Sequence, residues 1–116
     1  MKGTAPASNA CVALADARVA LYSLINTKDN SVQDALNAKV QAASARVDAA
    51  LAGMTNADAK MAADFKAVWD EFKATREKEI IPAVYNGKTD DAKKIINGIQ
   101  AQRLSKMWSI MSCKVR

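Results

Sequence analysis

A chain of 116 residues with a net charge of +5 and no histidine has room for one domain with a real core, but lacks the residue on which most nucleophilic, zinc and haem sites depend. Ser-His-Asp and Cys-His pairs, the HExxH zinc site and CxxCH haem attachment are excluded, the haem-binding four-helix cytochromes go with them, and the four glycines, at 3, 53, 87 and 98, are too scattered to cradle a phosphate. Half the residues are apolar but only 5% aromatic, and 24 are alanine, which favours helix over sheet; basic and acidic residues alternate, so the charge reads as a solvated surface and no nucleic-acid partner is expected.

Ser8 or Asn9 can cap a first helix over about residues 9–27, with Leu14, Val19, Leu21, Tyr22 and Ile25 at helical spacing and a stop in the polar run NTKDNS. Ser31 with Asp34 resembles a capping box for a second helix over about 31–52, whose apolar repeat Leu36, Val40, Ala43, Val47, Ala50 runs to a C-cap at Gly53. Thr55 or Asn56 starts a third helix over about 56–86, with Phe65, Val68, Trp69 and Phe72 on one face. Pro82 is expected to kink its last turns and Gly87 to close it in the left-handed conformation. Thr89 caps a fourth helix over about 89–114, with Asp90 and Asp91 against the positive end of its dipole, Gly98 as a point of bending, and no cap at the end, MWSIMSCKVR. Connections this short predict one all-α domain over residues 1–116, an antiparallel up-down-up-down four-helix bundle.

No stretch is long and apolar enough to span a membrane, and MKGTAPASNA lacks the apolar centre of a signal peptide. The chain as given is expected to be soluble, either in its own right or as a piece of a membrane protein whose anchors lie elsewhere.

From Asp64 to Arg103 the chain reads DFKAVWDEFKATREKEIIPAVYNGKTDDAKKIINGIQAQR: aromatics at helical spacing, a small NGKTDDA turn, then a polar-apolar helix. This resembles the second helical hairpin of the four-helix-bundle sensor domains of bacterial methyl-accepting chemotaxis receptors. There the turn is typically a glycine, one or two polar residues, an acidic residue and an alanine. The resemblance implies a periplasmic, ligand-binding homodimer whose first and last helices continue into transmembrane segments of an inner-membrane receptor. The family's amino-acid sensors use several arginines of the first helix and polar residues near the start of the fourth. Here the first helix has only Arg18, and the fourth begins with Lys93, Lys94 and Ile95, so no ligand set carries over.

A helical wheel places Arg18 within the apolar arc of Cys11, Leu14, Leu21, Tyr22 and Ile25, and Arg103 within that of Ala92, Ile96, Ile99, Met107 and Ile110. Arg76, with Glu79 to neutralise it, continues the arc of Phe65, Val68 and Phe72. Guanidiniums converging inside a bundle suit a carboxylate or other small anion, so Arg18, Tyr22, Arg76 and Arg103 are the candidate ligand-binding residues. The competing reading is that each arginine packs its stem on the apolar face and reaches water. Counting rise along the helices puts Cys11 and Cys113 level on neighbouring helices, which fits a disulfide or two buried thiols. No catalytic residue, metal or cofactor is expected. Two functions fit: a non-enzymatic sensor domain that passes a signal through its terminal helices, or a stand-alone helical interaction or scaffold protein.

Overall fold

In the computed structural model, which describes residues 5–113, the alanine-rich first half of the chain forms two long helices, α1 (Ala5–Ile25) and α2 (Asn30–Ala52). Ala10, Ala13, Ala17 and Ala20 of α1 and Val40, Ala43, Val47 and Ala50 of α2 are buried at spacings of three and four. Side chains this small let two helices approach closely along their length. Asp29 caps α2 where Ser31 was expected to: its carboxylate accepts the Ser31 hydroxyl at 2.7 Å and the backbone N–H groups of Ser31, at 2.9 Å, and Val32. These bonds, the Ser31 hydroxyl first, hold the Asp29 carboxyl below the usual carboxylate range. Asp34, expected to complete a capping box, instead accepts the Tyr85 hydroxyl at 2.7 Å.

The third rod is built in pieces. A short turn at Asn56–Asp58 leads into α3 (Ala59–Thr75), a π-helical turn over Arg76–Ile80, and α4 (Ile81–Tyr85). Pro82 removes a backbone donor, and its ring would crowd the carbonyl one turn back in a regular helix. The kink expected of Pro82 takes the form of the wider π turn just before it. Gly87, at φ 75°, closes α4 in a Schellman arrangement: the Lys88 N–H reaches the Ala83 carbonyl at 2.7 Å and the Gly87 N–H reaches that of Val84 at 3.1 Å. Lys88 stands at the cap position before α5 (Thr89–Asn97) without a side-chain bond, so Thr89 is the first helical residue and not the cap.

The fourth rod is broken at Gly98, between α5 and α6 (Ile99–Met111). A Cβ built on Gly98 would lie 2.9 Å from the Lys94 carbonyl oxygen, a backbone atom that cannot swing aside. Gly98→Ala is therefore expected to destabilise the protein by about 1–3 kcal/mol, the cost of forced repacking, where Gly→Ala in a regular helix would stabilise it. Urea unfolding checks the sign, and a stabilised variant would show that the break relaxes freely. The break also turns α6 relative to α5, leaving Ile99, expected in the apolar arc, 46% exposed. Val19, expected on the buried face of α1, is 58% exposed.

Cross-helix contacts give the directions. Asp16 pairs with Arg46 and Thr27 with Gln33; Asp48 meets Trp69 and Asp34 meets Tyr85; Cys11 meets Cys113 and Arg18 meets Trp108. In each of these three pairs of neighbouring rods one helix is climbed as the other is descended. The rods enclose one core in which Phe65, Trp69, Phe72, Leu14, Leu21, Leu24, Ile96 and Met107 are almost wholly buried.

Candidate functional site

Where α6 ends, Ser112 adopts the left-handed conformation at φ 54°, and the Cys113 N–H folds back to the Trp108 carbonyl at 2.9 Å. The helix expected to finish uncapped thus ends in a second Schellman-type turn, with serine where glycine is usual; its expected extent to residue 114 lies outside the described residues. The turn aims Cys113 at α1, where it is bonded to Cys11 with α-carbons 5.7 Å apart. Disulfide and α6 together tie the last helix to the first.

Above the bridge, α1 and α6 diverge enough to leave a groove of about 660 Å³, lined by Arg18, Tyr22, Ala101, Leu104, Ser105, Trp108, Ser109, Ser112 and Cys113. That volume is in the range of small-molecule sites. The Arg18 guanidinium lies over two aromatic rings, 5.2 Å from the centroid of Tyr22, one turn along α1, and 5.4 Å from that of Trp108 on α6. The ring faces hold the cation by their quadrupoles, which positions it without neutralising it. Its Nε is buried and has no hydrogen-bond partner among the described residues, and no carboxylate lines the groove. An unpaired buried donor on a fixed cation is costly unless an acceptor arrives. The arrangement suits an oxyanion, with the Ser105 and Ser109 hydroxyls one turn apart on the same wall.

Arg18 and Tyr22 share this groove; Arg76 and Arg103 do not. Arg76, 2% exposed, donates from Nε to Glu77 at 2.7 Å and from Nη1 to the Ser44 hydroxyl on α2, while Glu77 also accepts from Gln41 at 3.0 Å. Glu77, and not Glu79, is the neutralising partner. Arg103 donates to the Thr75 hydroxyl at 2.7 Å, to Gln100 at 2.9 Å and to the Glu71 carbonyl at 3.4 Å, on the α3 side of α6. Gln100 in turn donates to the Phe72 carbonyl at 2.9 Å, next to the π turn. The expected convergence of three arginines therefore does not occur, and two of them tie helices together. Trp108, Ser105, Ser109 and Gln100 are not among the candidate residues that the sequence singles out. The spacing of Ser105, Trp108 and Ser109 on one face, and a glutamine between Ile96 and Leu104 in the apolar repeat, were the available signals.

Among the described residues no group of three or more Cys, Asp or Glu side chains is placed to hold a metal ion, and no helix is long and apolar enough to cross a membrane. Searches of curated proteins and of solved structures return no match. The model of one family, described as a four helix bundle sensory module for signal transduction, matches residues 7–112. The match covers nearly the whole of the four described rods, and the chain belongs to this family of four-helix-bundle sensory modules for signal transduction.

Proposed function

We propose that this module is the extracytoplasmic ligand-binding domain of a membrane-anchored, chemotaxis-type receptor, and that it senses a small anion in the α1/α6 groove. The observation that carries the reading is Arg18: a cation on the groove wall, held over Tyr22 and Trp108, with no carboxylate among the described residues that line the groove. A disulfide fits an oxidising compartment such as the periplasm. The outer face of α1, where Val12 and Val19 are exposed two turns apart, suits a homodimer.

An anion seated on Arg18 and the α6 serines would touch both the first and the last helix. Binding can move the signal only by favouring one of two arrangements of these helices. Because the bridge fixes their lower ends, the motion is a small tilt or rotation of α6 above it and not a long slide.

Thermal-shift and calorimetric titration of the chain with organic and inorganic anions tests the reading, and sedimentation in the same series reads the dimer. A ligand at one hundred times its Kd is expected to add about 2.7 kcal/mol of stability. Arg18→Ala, with helical circular dichroism intact, is expected to weaken that ligand about tenfold or more, the loss of a charge-assisted hydrogen bond. Equal affinity in the variant would return Arg18 to simple packing, and a chain that binds no anion would leave the scaffold reading.

A further inference from the structure

We infer that the groove selects monocarboxylates that carry an apolar body and no ammonium group, an inference that rests on the sensor reading above and names its ligand class. Among the described residues that line the groove, Arg18 carries the one ionisable charge. A single guanidinium matches a single carboxylate, because its planar fork offers paired donors to the two oxygens. Beside the serines, the wall offers Leu104, Ala101, the rings of Tyr22 and Trp108 and the half-buried Cys113, surfaces that gain by covering an apolar chain or ring.

The missing partner is as informative as the cation. An α-amino acid places an ammonium beside its carboxylate, so seating the carboxylate on Arg18 brings that ammonium close to the guanidinium. Among the described lining residues no carboxylate stands ready to neutralise that ammonium. The carboxylates of the neighbouring elements are committed elsewhere: Asp16 to Arg46 at 2.8 Å on the α2 side, and Glu71 toward Arg103 at 3.8 Å on the α3 side. The three lining serines can accept from an ammonium but cannot neutralise it. Like charges at this range, partly shielded from water, repel strongly enough to decide between ligands that differ only in the amine.

Matched pairs test this directly by isothermal titration of the chain: hydrocinnamate against phenylalanine, which is the same skeleton with the amine, and isocaproate against leucine. Hydrocinnamamide serves as the neutral control, and inorganic phosphate and sulfate as bare anions. At least one of the two free acids is expected to bind, with its amino acid and the amide each about tenfold or more weaker, and Arg18→Gln is expected to abolish the difference between acid and amide. An amino acid bound as tightly as its deaminated partner overturns the ligand class, as does binding of phosphate or sulfate alone; both leave the anion-sensor reading standing. Acid binding that survives Arg18→Gln unchanged moves the ligand out of this groove and overturns the inference. Absence of binding by every anion removes the inference and the sensor reading together.

Discussion

Replacing both cysteines, as Cys11→Ala with Cys113→Ala, is expected to lower the unfolding free energy by about 4–5 kcal/mol. The bridge spans a sequence separation of 102, nearly the whole chain, and thereby restricts the unfolded ensemble more than a short loop would. In the chain-entropy model a loop of about 100 residues is worth about 4.7 kcal/mol. Both residues are half-buried against the core, so alanine leaves little packing behind and the entropic effect dominates. Urea unfolding with and without a thiol reductant provides the same comparison in the unaltered chain. Coincident curves would show that the link contributes nothing. Alkylation of the unfolded, non-reduced protein is expected to add no mass, and two added groups would mean that the thiols were free in that sample. Loss of the bridge should also loosen the α6 end, since Ser112 sits in a left-handed turn that the link helps to hold.

Trp69→Ala is expected to cost about 3–5 kcal/mol, the range for removing a large buried aromatic. Trp69 is fully buried, stacked on Phe72 with centroids 5.7 Å apart and tilted against Phe65 at 6.4 Å. Its indole N–H donates to Asp48 at 2.8 Å, and Lys73, over the same ring, bonds that carboxylate at 3.2 Å. The ring therefore fills the core while its edge ties α3 to α2. Trp69→Phe separates the two roles: most of the apolar volume stays, the hydrogen bond goes, and Asp48 keeps Lys73 and water, so a cost of only about 1 kcal/mol is expected. Chemical denaturation of both variants is the check. Equal losses would shift the weight from packing to the hydrogen bond.

The helices, their three turns and most of the core were legible in the sequence because those features are local. Gly87, inside NGKTDDA and just past an apolar run, specifies a left-handed closure whatever lies opposite, and Phe65, Trp69 and Phe72 fall on one face of any regular helix. Cys11 and Cys113 came out level by counting rise alone, although only their approach to 5.7 Å makes them a bridge. The arginines show where local reading stops. A wheel at about 100° per residue holds only while the helix is regular. Arg76, at the start of the π turn, keeps the buried face of Phe72 but reaches Ser44 on α2, while the break at Gly98 resets the angle of α6, so that Arg103 faces Thr75 on α3 and Ile99 faces solvent. Gln100, just past the break, donates to the Phe72 carbonyl one turn before the π turn, a contact that only the assembled rods supply. Arg18 lies on an unbroken helix, where the regular wheel angle holds. Which groups would surround it was decided by how α6, rotated after Gly98 and anchored through Cys113, presents Trp108 and the serines to α1, because rotation and anchoring arise between helices and leave no period in the sequence.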